Sequence, residues 1–396
     1  MGELGALVFR IARKGLVKMS HFSLLRRSRS QTPTASVLVD CQVVLLDNSE
    51  YTSRLTGDTE ALTLFNGVCD HTDVPRDARR YFGLQYVDQN DGETNWLELH
   101  KPIYGQQKDK TLSVQFVVRV FPLNPLRMEP IVQRWILLQM KDLLSRGKVK
   151  VSLQKHALLD SYFAQATLGD YDTDKHGLGY LEDLLGSTFF GHPSGINSNI
   201  DVSETSYVQT VTMLHQSRKG MTAAEAIQAY LDLASSVPFY GVRAHRGATT
   251  EKGVRVVICL SLRSLQVYTQ DEYDEPNELL QDYEWPLVDS ITASKAKFYF
   301  SCATNENHKE QGTVCLRFHG HFGFQQADRV VLDALCYRNI AIEAVEKHPS
   351  RRQNWTKEDG VGAMRLERAM SAGRDRRQNP MASLRKQMRD SNGGHV

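Results

Sequence analysis

The hydrophobic period of the chain changes twice, and those changes limit the available folds more than any single residue does. From residue 37 apolar positions alternate through Val39, Cys41, Val43 and Leu45 to a turn signal at Asp47-Asn48, and alternation resumes over residues 51–55, which predicts a strand pair. Residues 60–69 then place Leu62, Phe65 and Cys69 on one helical face, and strands are predicted at 84–87 and 112–121. Pro122 and Pro125 close this stretch, because proline neither donates to a ladder nor continues a helix. Between 129 and 234 the strand signals vanish. Helices are predicted at 131–145, 153–168, 204–217 and 222–235, the last opened by Thr222 and Glu225 in capping-box spacing. From Tyr240 short strands return at 254–260, 265–268, 287–292, 297–301 and 313–318, followed by a helical run over 326–345. No internal repeat is seen.

Strand pair, helix and strands is a β-grasp order; the middle is an all-α lobe; strands closed by one helix have the order of a pleckstrin- or phosphotyrosine-binding-like lobe. With 396 residues the chain is long enough for several cores. The predicted division is a basic arm at 1–36, lobes at 37–122, 123–238 and 239–345, and a basic tail at 346–396. Residues 1–30 hold seven Lys/Arg against one acid and residues 346–396 hold twelve against six, so a net charge of +2 leaves the body between them strongly acidic. Such a body is a poor nucleic-acid ligand, since phosphate affinity needs clustered cations, whereas the ends suit anionic lipid. The arm is Arg-rich, Ser-containing and acid-poor, as transit peptides are; the preferred reading is a disordered lead-in in which Leu4, Leu7, Val8 and Ile11 share one face of a short helix. The apolar runs are too short to cross a membrane. Six scattered cysteines without C-x-x-C spacing read as reduced core residues.

The segments Tyr81-Phe82-Gly83-Leu84, Asn95-Trp96-Leu97, Val120-Phe121-Pro122, Leu168-Gly169-Asp170-Tyr171-Asp172, Leu214-His215, Gly220-Met221-Thr222 with Glu225-Ala226, and Tyr240-Gly241-Val242 stand in the order and approximate spacing of a FERM domain. Over residues 37–345 the chain resembles the four-point-one and ezrin-radixin-moesin superfamily, and within it the four-point-one and FERM-phosphatase branch. The resemblance implies an α+β fold of three lobes: a ubiquitin-like β-grasp, an acyl-CoA-binding-protein-like helical bundle and a PH/PTB-like sandwich with a C-terminal helix. It also implies a non-enzymatic adaptor at the inner face of the plasma membrane, joining cytoplasmic tails of membrane proteins, scaffold proteins and phosphoinositides to the cortical cytoskeleton. Three departures stand out. Residues 327–336 lack the Trp and basic positions usual in the closing helix, the acidic loop Asp271-Glu272-Tyr273-Asp274-Glu275 is long and negative, and the tail lacks the long actin-binding end of the ezrin group, which argues against direct actin binding.

In the family the third lobe accepts a receptor tail as an added strand between its fifth strand and closing helix. The resemblance places that strand at 287–293. Alternation then puts Val288, Ser290 and Thr292 on one face, with Leu332 and Leu335 on the facing helix; the same residues also read as ordinary core. No Walker loop, nucleophile elbow, kinase signature or phosphatase cysteine loop appears, so no catalytic residue and no cofactor is expected. Asp170-x-Asp172-x-Asp174 begins like a calcium loop but fails at Lys175, where glycine is needed, and at Leu181, where glutamate is needed. His319-Gly320-His321 lacks further ligands at a metal spacing, and no metal site is expected. Ser28, Ser30 and Thr32 are phosphorylation candidates in a basic context, where phosphate would cancel the charge that favours lipid. Two alternatives stay open: a peripheral lipid-sensing protein, and a piece or isoform of a larger FERM-containing signalling enzyme such as a tyrosine phosphatase.

Overall fold

The computed structural model describes residues 37–106, 111–177, 179–185, 204–303 and 311–347. In the first lobe, β1 (Leu38–Val44) pairs antiparallel with β2 (Glu50–Thr56) and parallel with β5 (Thr111–Val118). With β3 (Phe82–Val87) and β4 (Thr94–Trp96) they form one sheet of order β2-β1-β5-β3-β4. The period-2 pattern works as chemistry predicts: Val39, Cys41 and Val43 are buried. At the hairpin turn the Asp47 carboxylate accepts from the Ser49 amide at 3.1 Å and Asn48 takes φ 63°, a conformation asparagine tolerates better than most residues. Helix α1 (Ala61–His71) lays Leu64, Phe65, Val68 and Cys69 on this sheet, and a short α2 (Ile103–Gln106) follows. Burial pushes the Cys69 thiol up to about 12.

The second lobe consists of α3 (Pro130–Ser145), α4 (Leu153–Leu168), α5 (Tyr180–Leu185), α6 (Glu204–Gln216) and α7 (Ala223–Ser235). Their ends carry the expected chemistry. Pro130 opens α3, the Ser152 hydroxyl accepts from the Lys155 amide, and Thr222 and Glu225 close a reciprocal capping box. Helix α4 stops at Gly169, whose φ of 74° suits glycine. Asp170 then ties the chain down, accepting from the Gly220 amide at 2.8 Å and the Gln165 amide group at 2.9 Å. The residue is a loop tether.

The third lobe is one antiparallel sheet of order β10-β11-β12-β6-β7-β8-β9. Its strands are β6 (Arg243–Thr250), β7 (Arg255–Leu260), β8 (Ser264–Gln270), β9 (Pro276–Glu284), β10 (Val288–Ser294), β11 (Lys297–Ala303) and β12 (Gln311–Phe318), covered by α8 (Gly323–Lys347). Strands β4, β6 and β9 lie outside the strands predicted from periodicity.

Six consecutive residues, 117–122, lock the lobes together. The Val118 amide donates to the Gln139 side chain of the second lobe, while Phe116 just before it meets Trp135 edge-on at 6.1 Å; the first two lobes share one continuous core. Val120 is instead buried in the core of the third lobe. Phe121 packs edge-on against Tyr240 at 5.4 Å. Gly241 has φ 65° and a Cβ there would lie 2.7 Å from Phe121 Cβ, so this approach requires glycine.

Arg119 reaches furthest. Its guanidinium stacks on Trp96 at 4.8 Å and lies 3.3 Å from Asp333 on α8, a carboxylate with 2% exposure. Arg243 and His245 approach the other Asp333 oxygen at 3.4 and 3.2 Å. Burial works against the charged form, but the His245 contact and the charges of Arg243, His245 and Arg119 outweigh it and hold the carboxyl well below the usual range. One helical turn earlier Arg329 donates to Asp91 at 3.0 Å and Asn95 at 3.1 Å, and one turn later the Tyr337 hydroxyl donates to the Arg119 and Gly241 carbonyls. One stripe of α8 thus clamps the first lobe.

Two outcomes follow from this packing. Gly241→Ala should destabilise the protein by about 1–3 kcal/mol, from strain at positive φ and the clash with Phe121, read as a lower midpoint in urea unfolding; an unchanged midpoint would contradict the close approach. Because the Asp333 pKa is depressed, its contribution is present above the ordinary carboxylate pKa of about 3.9 and is lost as pH falls through the lower folded value. Asp333→Asn should therefore cost about 3–5 kcal/mol at neutral pH, having left two guanidinium groups short of their anion, and the difference from wild type should shrink as acid denaturation is approached. Equal stability of the two proteins at pH 7 would refute the role.

Candidate functional site

Strand β10 is the last strand at one end of the third-lobe sheet, hydrogen-bonded among the described residues to β11 alone, and α8 packs beside it. Its register carries the main correction to the sequence reading. Val288 pairs with Cys302 and Ser290 with Ser301, so Asp289 is an extra residue and the strand bulges there. Val288 and Ser290 therefore do not share a face. Val288 and Ile291 are buried; Ser290 is exposed, its hydroxyl 2.7 Å from that of Ser301; Thr292 is half-buried. An inserted residue reverses the parity that alternation assumes.

The two-residue connection Lys295-Ala296 makes Ser294 and Lys297 the hydrogen-bonded pair closing the β10–β11 hairpin. Pair types alternate along an antiparallel ladder, so the backbone groups of Ser290 and Thr292 turn toward β11, and those of Ile291 and Ala293 toward the open edge. Where that edge begins, Arg338 of α8 donates from Nε to the Val288 carbonyl at 2.8 Å. Burial lowers the pKa of this guanidinium, with Asp289 opposing. Arg338 thus occupies the first acceptor of the edge, ahead of the Ile291–Ala293 stretch. Nothing in the periodicity marks Ile291, Ala293 or Arg338; only the charged Asp289 inside an apolar strand hinted at the bulge.

On the helix, Leu335 packs on the third-lobe core beside Val331 and Cys336. Leu332 is half-buried and stands outside that cluster, and its carbonyl accepts from Arg119 of the first lobe at 3.3 Å. The five residues predicted for a groove are therefore split. Val288 belongs to the core, Leu335 to its margin, Leu332 lies at the clamp, and Ser290 and Thr292 lie on β10 itself. Ser28, Ser30 and Thr32 lie outside the described residues.

A cleft of about 680 Å³ in the second lobe is lined by Leu168, Tyr171, Asp172, Lys175, His176 and Lys219 together with Asp170. Its polar groups are engaged locally: Asp172 accepts from the Asp174 amide at 3.0 Å and pairs with Lys175, and His176 Nδ1 accepts from the Asp172 amide. His319 meets the Thr249 hydroxyl at 2.7 Å. Among the described residues no group of three or more His, Cys, Asp or Glu side chains is gathered for a metal, and no helix is long and apolar enough to cross a membrane.

Residues 43–109 match the FERM N-terminal domain and residues 122–245 the FERM central domain. The chain is 30% identical over 307 residues to Band 4.1-like protein 3 of Homo sapiens, which covers 77% of this chain but 26% of that relative. It is 27% identical over 276 residues to Protein 4.1 of Homo sapiens, covering 69% and 29% of the two chains. The chain thus spans about a quarter to a third of the length of these curated relatives. The FERM and C-terminal domain complex of Drosophila Merlin superposes with TM-score 0.66 at 18% identity, over 79% of this chain and 98% of that one. The MyTH4-FERM MF2 domain of Dictyostelium discoideum myosin VII superposes with TM-score 0.55 at 13% identity, over 76% and 58%. At these identities the superpositions speak to the fold, and their three-lobed architecture is the one seen here. Two matched FERM domains in sequence and a third lobe of the same architecture in space lead to one conclusion: the chain is a FERM-domain protein of the four-point-one and ezrin-radixin-moesin superfamily.

Proposed function

We propose that the chain is a non-enzymatic adaptor at the cytoplasmic face of the plasma membrane, linking membrane-protein tails to the cortical cytoskeleton through strand addition at β10. The observation that carries this reading is the open edge itself. Backbone groups at Ile291 and Ala293 face away from β11, with α8 forming the wall beside them. An extended tail adding there would gain main-chain hydrogen bonds from the edge and side-chain contacts from the half-buried Thr292 and Leu335. The named relatives, band 4.1 proteins, and a Merlin FERM domain crystallised with a C-terminal domain, fit a fold whose work is to hold other polypeptides. Anionic phosphoinositides are a second ligand class for the same membrane-apposed protein, through the basic ends of the sequence.

Proline at the edge separates strand addition from other modes. Ala293→Pro removes a donor that faces the open edge and leaves the ladder to β11 intact, as edge strands permit. Binding to an array of synthetic membrane-protein tail peptides should fall roughly five- to a hundredfold, for about 1–3 kcal/mol of lost hydrogen bonding, at unchanged melting temperature. Ser290→Pro, whose donor faces β11, should lower the melting temperature instead. If Ala293→Pro melts like wild type and binds the same peptides undiminished, the β10 edge is not the docking strand.

A further inference from the structure

The opposite end of the third-lobe sheet is also open, and its chemistry is different. Among the described residues strand β9 is hydrogen-bonded to β8 alone. Its register slips twice: Val267 pairs with Gln281 but Tyr268 with Leu279, leaving Leu280 as an extra residue, and a second irregularity follows before Gln270 and Pro276. Such bulges blunt an edge against strand addition, so this surface offers side chains more than backbone groups. Two neighbouring leucines of this strand are both exposed, Leu279 at 46% and Leu280 at 40%, and at the hairpin tip Tyr273 is 75% exposed.

Charge surrounds this apolar group. Residues 271–284 contain seven Asp/Glu and no Lys, Arg or His. Among the described residues Arg255 pairs with Asp274, and Arg246 and Lys150 pair with Glu275. The tip is also held in shape: the Asp271 carboxylate accepts from the Tyr273 and Glu275 amides at 2.9 and 2.8 Å. A preformed surface of this kind fits a segment that is basic and apolar at once.

The sequence contains such a segment. Residues 1–36 hold seven Lys/Arg against the single acid Glu3, interleaved with Leu4, Leu7, Val8 and Ile11. The other basic stretch, residues 348–396, is a poorer match, with five acids among its eleven Lys/Arg and sparser apolar residues. At about 3.3–3.6 Å per extended residue the arm reaches as far as about 120 Å, ample for a surface on the same molecule. Tethering also gives it an effective concentration on the order of millimolar.

We propose that the acidic β8–β9 hairpin docks this chain's own N-terminal arm, seating the arm's apolar residues on Leu279, Leu280 and Tyr273 within an acidic rim. An arm seated there is withheld from anionic membranes, so the hairpin competes with lipid for the same cations. This inference is independent of the β10 edge.

Carbodiimide cross-linking of the 396-residue chain, with mass spectrometry, tests it. At low ionic strength amide links should join Lys14 or Lys18 to carboxylates within 271–284, and their yield should fall roughly fivefold at ~0.5 M salt, where the Debye length is only a few ångströms. In a mixture of ¹⁵N-labelled and unlabelled protein these links should stay within one chain. Leu279→Ser with Leu280→Ser should lower the yield roughly fivefold and raise sedimentation with phosphatidylserine vesicles. Should that variant melt early, Leu7→Ser with Ile11→Ser in the arm decides the matter, and its cross-link yield should fall likewise. Absence of arm-to-hairpin links, links from the hairpin to Lys357 or Lys386 in their place, links between differently labelled chains, or yields untouched by the arm substitutions would each overturn the proposal.

Discussion

Asp333 is a carboxylate with almost no access to water, and it keeps its charge because two arginines and a histidine from separate segments converge on it. A charge in that position is costly unless its partners are held in place, so the cluster requires the lobes to be docked before it becomes favourable. Arg119 ends the first lobe, Arg243 and His245 begin the third, and Asp333 sits on the helix that closes it. Trp96 provides the apolar surface on which both arginines lie, at 4.8 and 5.6 Å. The ion cluster specifies the docking geometry, while the burial of Val120, Phe121 and Tyr337 around it supplies the apolar driving force.

The consequence for function lies in α8. Residues Arg329, Asp333 and Tyr337 recur at helical spacing on the side that grips the first lobe, whereas Val331, Leu335 and Arg338 serve the third-lobe core and β10. A helix held on both sides is a stiff wall, and a stiff wall lowers the ordering cost of accepting an extended ligand. The β10 end of the third-lobe sheet is thereby set beside a helix anchored on both sides, with main-chain groups exposed, while the β9 end is acidic and bulged.

Much of this was legible in order and type. The β1–β2 hairpin, α1, the four long helices and the strand cluster closed by a helix follow from period and capping, because each buries one regular face against a neighbour. Strands β6 and β9 were not legible: Arg-Ala-His-Arg-Gly-Ala-Thr-Thr and Pro-Asn-Glu-Leu-Leu-Gln-Asp-Tyr-Glu have no apolar alternation, since β6 turns charged residues into an interface and β9 faces solvent over most of its length. The shared face read for Val288, Ser290 and Thr292 fails for a related reason. A bulge at Asp289 costs one residue of register, which alternation cannot see, and it moved Val288 into the core and the open backbone groups to Ile291 and Ala293.

By itself, then, the sequence determined the family, the succession of lobes and the separation of an acidic body from basic ends, because local period, turn chemistry and net charge are properties of contiguous residues. Only the tertiary structure decided that Asp333 would be the shared anion of two lobes, that Arg338 would cap the β10 edge and that Leu279 and Leu280 would both be exposed. Those outcomes depend on register shifts and on partners more than two hundred residues apart, as with Arg119 and Asp333, and no window along the chain contains both ends of such a contact.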